Sequence, residues 1–126
     1  MHCKVLPEER ITKEIPAKNG KYIIRLTGIL DNISEDKFWI ADHKCGQTDI
    51  EKYLNSMQMR VYFLLVPEAR LGTFNGFNPY TEETGVVSIL GTVGAREAAE
   101  IWIRDIADEV YKHCNSEKIP FWRMML

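Results

Sequence analysis

Three pairings of histidine with cysteine are the residues most able to do chemistry: His2–Cys3, His43 with Cys45, and His113–Cys114. Gathered by a fold, thiols and imidazoles of this kind would hold a soft metal ion. A structural zinc site shows short, regular ligand spacing, and these pairs lie far apart in the chain. Surface histidines beside half-buried cysteines are therefore expected, and no metal is assigned. Cys45 with His43 as its base would make a nucleophile, but no third group is at hand to orient the base. The adjacent carboxylates Glu35–Asp36 and Glu82–Glu83 read as solvated loop charges rather than an acid/base pair. The chain has no phosphate-binding loop, no dinucleotide glycine fingerprint, no HExxH and no GxSxG. No catalytic residue and no cofactor is assigned, and a non-catalytic protein is expected.

The aromatic residues point to binding. Phe38 and Trp39 are neighbours on a predicted strand, so one of them faces away from the core. Phe74, Phe77 and Tyr80 fall in the segment Leu71–Gly85, rich in turn formers, where burial is hard. Exposed aromatics beside a sheet stack nucleic-acid bases at about 1–3 kcal/mol each. The candidate nucleic-acid contacts are Arg25, Lys37, Trp39, Arg60, Phe74, Phe77 and Tyr80. The competing expectation is that Trp39 packs under the N-terminal arm and the loop aromatics pin the loop to the domain.

The elements that would position these residues follow from patterning. The 126 residues, 45% hydrophobic and 27% charged, suit one globular domain. Residues 1–20, with two prolines, read as an irregular arm ending at Asn19-Gly20. "KYIIRLTGIL" and "KFWIAD" read as a strand hairpin, with Gly28 marking a bulge or bend. "TDIEKYLNS" fits either a short helix or a strand, because periodicity cannot separate the two over so few residues. "MRVYFLLV" reads as an apolar strand stopped by Pro67, and "VVSILGTV" as the next strand. Ala99, Trp102, Ile103, Ile106, Val110 and Cys114 recur at helical spacing in "AREAAEIWIRDIADEVYKHC". This helix has an apolar arc wider than one contact requires, so Trp102, Ile103, Ile106 and Val110 are candidate partner contacts. The tail "IPFWRMML" reads as a lid on the core or a contact surface.

With these elements in order, "RLTGILDNISEDKFWIADHKCGQTDIEKYL" resembles the first half of the barrel in the middle and small subunits of replication protein A and their telomeric CST relatives. The matching features are Thr27-Gly28-Ile29 in the first strand, Asp42 and Gly46 in the turn after the second, and Ile50 with Tyr53 beyond it. "LPEERI", Leu6 to Ile11, is similar to the arm of the small subunit. The resemblance implies a five-stranded OB-like barrel with a C-terminal amphipathic helix. It divides the chain into an arm (1–20), a barrel (21–94) and a helix with tail (95–126). Ile24, Leu26, Ile40, Val61, Phe63, Val87 and Ile89 are its expected core. It further implies a non-catalytic assembly subunit of a single-stranded-DNA-binding complex, pairing with paralogous OB-fold subunits through its helix and binding DNA weakly alone.

The net charge of −2 agrees with weak autonomous binding, because phosphate neutralisation supplies most non-specific affinity. Three cysteines without a CxxC favour a reducing compartment. The charged N-terminus does not read as a secretory signal, and no apolar run is long enough to span a bilayer. An intracellular protein is expected, nuclear if the resemblance holds. The alternatives are a small-ligand-binding protein or enzyme with the 71–85 segment as a lid, and a TATA-binding-protein-like module.

Overall fold

The computed structural model describes residues 5–6, 8–46 and 49–117. They form a mixed α+β structure with two sheets and a long C-terminal helix. Strand β1 (Val5–Leu6) is short. β2 (Glu9–Pro16) pairs antiparallel with β3 (Ile23–Leu30) as a separate two-stranded sheet. β4 (Asn32–Ser34) follows β3 after a single residue, Asp31, so one run of chain changes sheets there. β5 (Trp39–Cys45) returns antiparallel to β4. β6 (Leu71–Phe77) lies parallel to β5, and β7 (Thr84–Leu90) antiparallel to β6. The larger sheet has the order β1-β4-β5-β6-β7.

Parallel neighbours need a crossover, and here it is a 3-10 turn (Glu51–Asn55) followed by helix α1 (Met57–Leu65). Ser56 caps α1, its hydroxyl accepting from the Gln58 amide at 3.1 Å. Helix α2 (Val93–Glu117) follows β7.

Helix α1 lies at the centre of the core. Met59, Val61, Tyr62, Phe63, Leu64 and Leu65 are all buried. A side chain on Gly72 of β6 would strike Met59 and one on Gly28 of β3 would strike Leu65. The two glycines therefore let the large sheet and the small one close on the same helix, with α2 packed beside it. Each large side chain buried this way contributes roughly 1.5–3 kcal/mol.

This arrangement corrects several expectations. "MRVYFLLV" is helical, not a strand. A continuous apolar run fits a buried strand or a helix buried all round, and three surrounding elements make it the latter. "KYIIRLTGIL" pairs with β2, not with "KFWIAD", so residues 9–16 of the predicted arm are a regular strand. The strand pairing among the described residues does not close into a five-stranded barrel: β1 and β7 are the outer strands of the large sheet. Of the expected core, Ile24, Leu26, Ile40, Val61, Phe63 and Ile89 are buried, and Val87 packs against them half-buried. Helix α2 forms as read, over Val93–Glu117. "IPFWRMML", Thr48 and His2–Cys3 lie outside the described residues. No helix among those described is long and apolar enough to cross a membrane.

Candidate active site

Two carboxylates and an ammonium meet where β5 ends. Asp31 occupies the sheet-switching position between β3 and β4, and its Oδ2 accepts from the His43 amide at 2.8 Å. Asp42 and Lys44 alternate with His43 along β5, so both point to the α1 side of the sheet and His43 to the other. Asp42 is buried, at 5% exposure. Lys44 Nζ stands 2.9 Å from Asp42 Oδ2. The contact pairs the ammonium with a buried carboxylate oxygen.

Burial raises the Asp42 carboxyl above its ordinary range; Lys44 pulls it down, and the neighbouring charge of Asp31 pushes it up again. A buried carboxylate, a partly exposed one and an ammonium thus share the site.

Helix α1 supports this group. Lys44 Nζ donates to Gln58 Oε1 at 3.3 Å. Gln58 Nε2 donates to the Tyr62 hydroxyl at 3.0 Å, and that hydroxyl donates to the Ile29 carbonyl at 3.2 Å. Gln58 and Tyr62 are one helical turn apart, so they share a face. Burial, with the charges of Asp42 and Asp31 adding to it, pushes the Tyr62 phenol up to about 12, and it stays a neutral donor. The Lys44 ammonium also lies 4.9 Å from the Tyr53 ring centroid and 5.7 Å from that of Phe74. These contacts fix the ammonium against Asp42 on a rigid strand. On the opposite face, His43 bridges Asn32 through Nε2 and Asn75 through Nδ1.

No three His, Cys, Asp or Glu side chains converge as a metal cage among the described residues. Asp31 with Asp42 supplies a different donor set: two hard oxygen ligands, enough for a magnesium-type ion that keeps waters and takes its remaining ligands from a substrate phosphate.

The nucleic-acid candidates named from sequence are not one surface. Arg25 is on the small sheet, paired with Glu14 at 3.5 Å. Lys37 is in the turn between β4 and β5. Trp39 begins β5, its indole N–H donating to Thr73 Oγ1 at 3.0 Å. Arg60 donates to the Ser56 and Leu54 carbonyls. Phe74 is a correction: it is fully buried and stacks on Tyr53 at 5.0 Å, because it belongs to β6 and faces α1. Phe77 and Tyr80 are exposed, at 46% and 95%, and stand at the same end of the sheet as Lys44.

On α2, Ile103 is buried; Trp102, Ile106 and Val110 are half-buried, and Trp102 packs against the chain's own core. The signal that sequence reasoning missed is Asp31, Asp42-x-Lys44 and Gln58-x-x-x-Tyr62: strand alternation in one case, helical spacing in the other.

No family model matches the sequence, and no curated protein does. Among solved structures the chain is similar to one described as the crystal structure of SSO0001, with a TM-score of 0.64 and 21% sequence identity. The match covers 86% of this chain and 50% of that one, so this chain spans about half the length of its structural neighbour. At that identity the likeness is one of fold.

Proposed function

We propose that the chain is a divalent-cation-dependent phosphodiesterase, with Asp31, Asp42 and Lys44 as its working residues. The observation that carries this reading is the placement of Lys44 Nζ 2.9 Å from a buried carboxylate that shares its site with a second one. Asp31 and Asp42 would hold the cation, which would supply Lewis acidity toward a phosphoryl oxygen and a bound water. Lys44 places positive charge where the phosphoryl oxygens gain negative charge, and Gln58 keeps it aimed there without reorganisation. In the hydrolysis, water oxygen bonds to phosphorus, the bond from phosphorus to the leaving alkoxide breaks, and a proton from that water ends on the leaving oxygen.

The test uses bis-p-nitrophenyl phosphate and the full chain in Mg²⁺ or Mn²⁺. Hydrolysis should be lost in EDTA and in Asp42→Asn, and should fall by about 10²–10³-fold in Lys44→Met. Hydrolysis that survives Asp42→Asn would sink the reading.

A non-catalytic assembly role is the second reading. Its support is the exposed apolar pair Val93 and Ile101 on α2, at 71% and 63%. Monomeric behaviour at high concentration would remove it.

A further inference from the structure

An outer strand leaves main-chain N–H and C=O groups unpaired, and proteins blunt such edges with short strands, charges or proline. β1 is two residues long. β2 carries Glu9, Arg10, Lys13, Glu14 and Pro16, and β3 carries Arg25. β7, the other outer strand of the large sheet, has none of these devices. From Leu71 to Ala95 the only charged residues are Glu82 and Glu83, in a chain that is 27% charged. Val86 and Leu90 of β7 are exposed, at 64% and 65%.

The ladder shows which groups of β7 are open. The Gly91 amide donates to the Arg70 carbonyl at 2.8 Å, and the Asn78 amide to the Glu83 carbonyl at 3.0 Å. These two pairs continue, at either end, the register that sets Leu71 opposite Leu90 and Phe77 opposite Thr84. Bonded and unbonded pairs alternate in an antiparallel ladder, so Gly85, Val87 and Ile89 are the residues that bond to β6. The main-chain groups of Thr84, Val86, Ser88 and Leu90 therefore point to the open edge. All four residues are exposed, and Val87 and Ile89 between them pack on the core. Leu90 gives its carbonyl to the Thr92 amide at 3.0 Å. The Glu51–Asn55 turn meets β7 from the α1 side, where Tyr53 stacks on Phe74 opposite Val87. Among the described residues no strand pairs with this edge.

We propose that β7 pairs with β7 of a second copy of this chain, antiparallel about a two-fold axis, so that one sheet runs through both copies. Charge and register both select a second copy as the occupant. Around a two-fold axis the same patch meets itself, so a charge there would face a like charge, and β7 carries none. With Val87 opposite its own copy, Thr84 meets Leu90 and Val86 meets Ser88. All four outward-pointing residues then have a partner across the axis. Moving the axis to Val86 or Ser88 leaves one of the four without a β7 partner. The pairing stands whether or not the chain hydrolyses phosphodiesters, because Asp42 and Lys44 lie on β5, away from this edge.

Sedimentation of the full chain over a concentration series reads the association, with circular dichroism as the check on folding. The wild type should pass from monomer to dimer as concentration rises. Val86→Lys sets two ammonium groups diagonally across the axis and removes an apolar contact in each copy, so it should weaken the dimer by about 10-fold. Val86→Glu alone should do the same, and an equimolar mixture of the two variants should recover the dimer. Val87→Cys places two thiols on an unbonded pair, where Cα atoms stand about 4.5 Å apart, within disulfide range. Mild oxidation should therefore link it into a covalent dimer faster than it links the wild type. The inference is overturned by a wild type that stays monomeric throughout or by association that Val86→Lys leaves intact. It is equally overturned if mixing the charge variants recovers nothing, or if Val87→Cys cross-links no faster than the wild type.

Discussion

The two ends of the large sheet each gather charged side chains, and they treat them in opposite ways. At the end where β6 begins and β7 finishes, Arg96 and Arg70 line an open concavity of about 560 Å³ with Pro67, Leu90, Gly91 and Val93. The Arg96 guanidinium donates to the carbonyls of Phe63, Gly91, Thr92, Pro67 and Ala69, and Arg70 to those of Pro67 and Ala69. These donors are used up on main-chain dipoles that cannot leave, so the cluster ties the α1–β6 and β7–α2 connections together. At the other end, Asp42 is buried beside Lys44 and Asp31, which are partly exposed. One end uses charge to hold the fold. The other tolerates charge that the fold does not need.

The comparison breaks first, and by the largest effect, at the arginine end. Arg96→Ala removes five carbonyl contacts at once and leaves partly buried acceptors unpaired, each worth about 1–3 kcal/mol. We expect about 3 kcal/mol of lost stability in urea denaturation. Arg96→Lys should recover less than half, since an ammonium cannot reproduce the planar fork.

The carboxylate end should respond with the opposite sign. Asp42 has a folded-state pKa above its unfolded value of 3.8. Its stabilising contribution is therefore complete below that value and is lost as pH rises through the raised folded pKa. At neutral pH, without a cation, its ionised form is a cost. Asp42→Asn should stabilise the cation-free chain by about 0.5–2 kcal/mol near pH 7, in the range of other relieved functional sites. The advantage should shrink as the pH is lowered toward 4. Denaturation midpoints across that window check it, and an Asn variant less stable than the wild type at pH 7 contradicts it.

The same contrast explains what could be read in advance. Helix α2 was readable because its apolar residues fall on one arc against charges on the other. Most core positions were readable from apolar type alone. The identity of α1 was not: Val61 to Val66 is apolar on every side, and only the approach of Gly28 and Gly72 from two sheets decides for a helix. Strand β2 was missed because Glu9 to Pro16 carries just two isoleucines among charged residues. The pairing partner of β3 followed from that miss, and with it the barrel. The candidate site was hidden for a related reason. Asp31 is contributed by a sheet switch, Asp42 and Lys44 by strand alternation, Tyr62 by a helix read as a strand, and Gln58 by the first turn of that helix, which was assigned to no element. For Phe74, Phe77 and Tyr80 the sequence left exposure and packing on the domain open: Phe77 and Tyr80 are exposed, whereas Phe74 turns inward because its segment is β6.

The central claim, that Asp31 and Asp42 bind a divalent cation, is tested most directly by thermal denaturation of cation-free protein with and without added Mg²⁺ or Mn²⁺. For the wild type, cation at ten times its Kd should add about 1.4 kcal/mol and raise Tm by roughly 4–8 °C, while Asp42→Asn should show no rise. A wild type indifferent to both ions, or an equal rise in Asp42→Asn, would contradict the account.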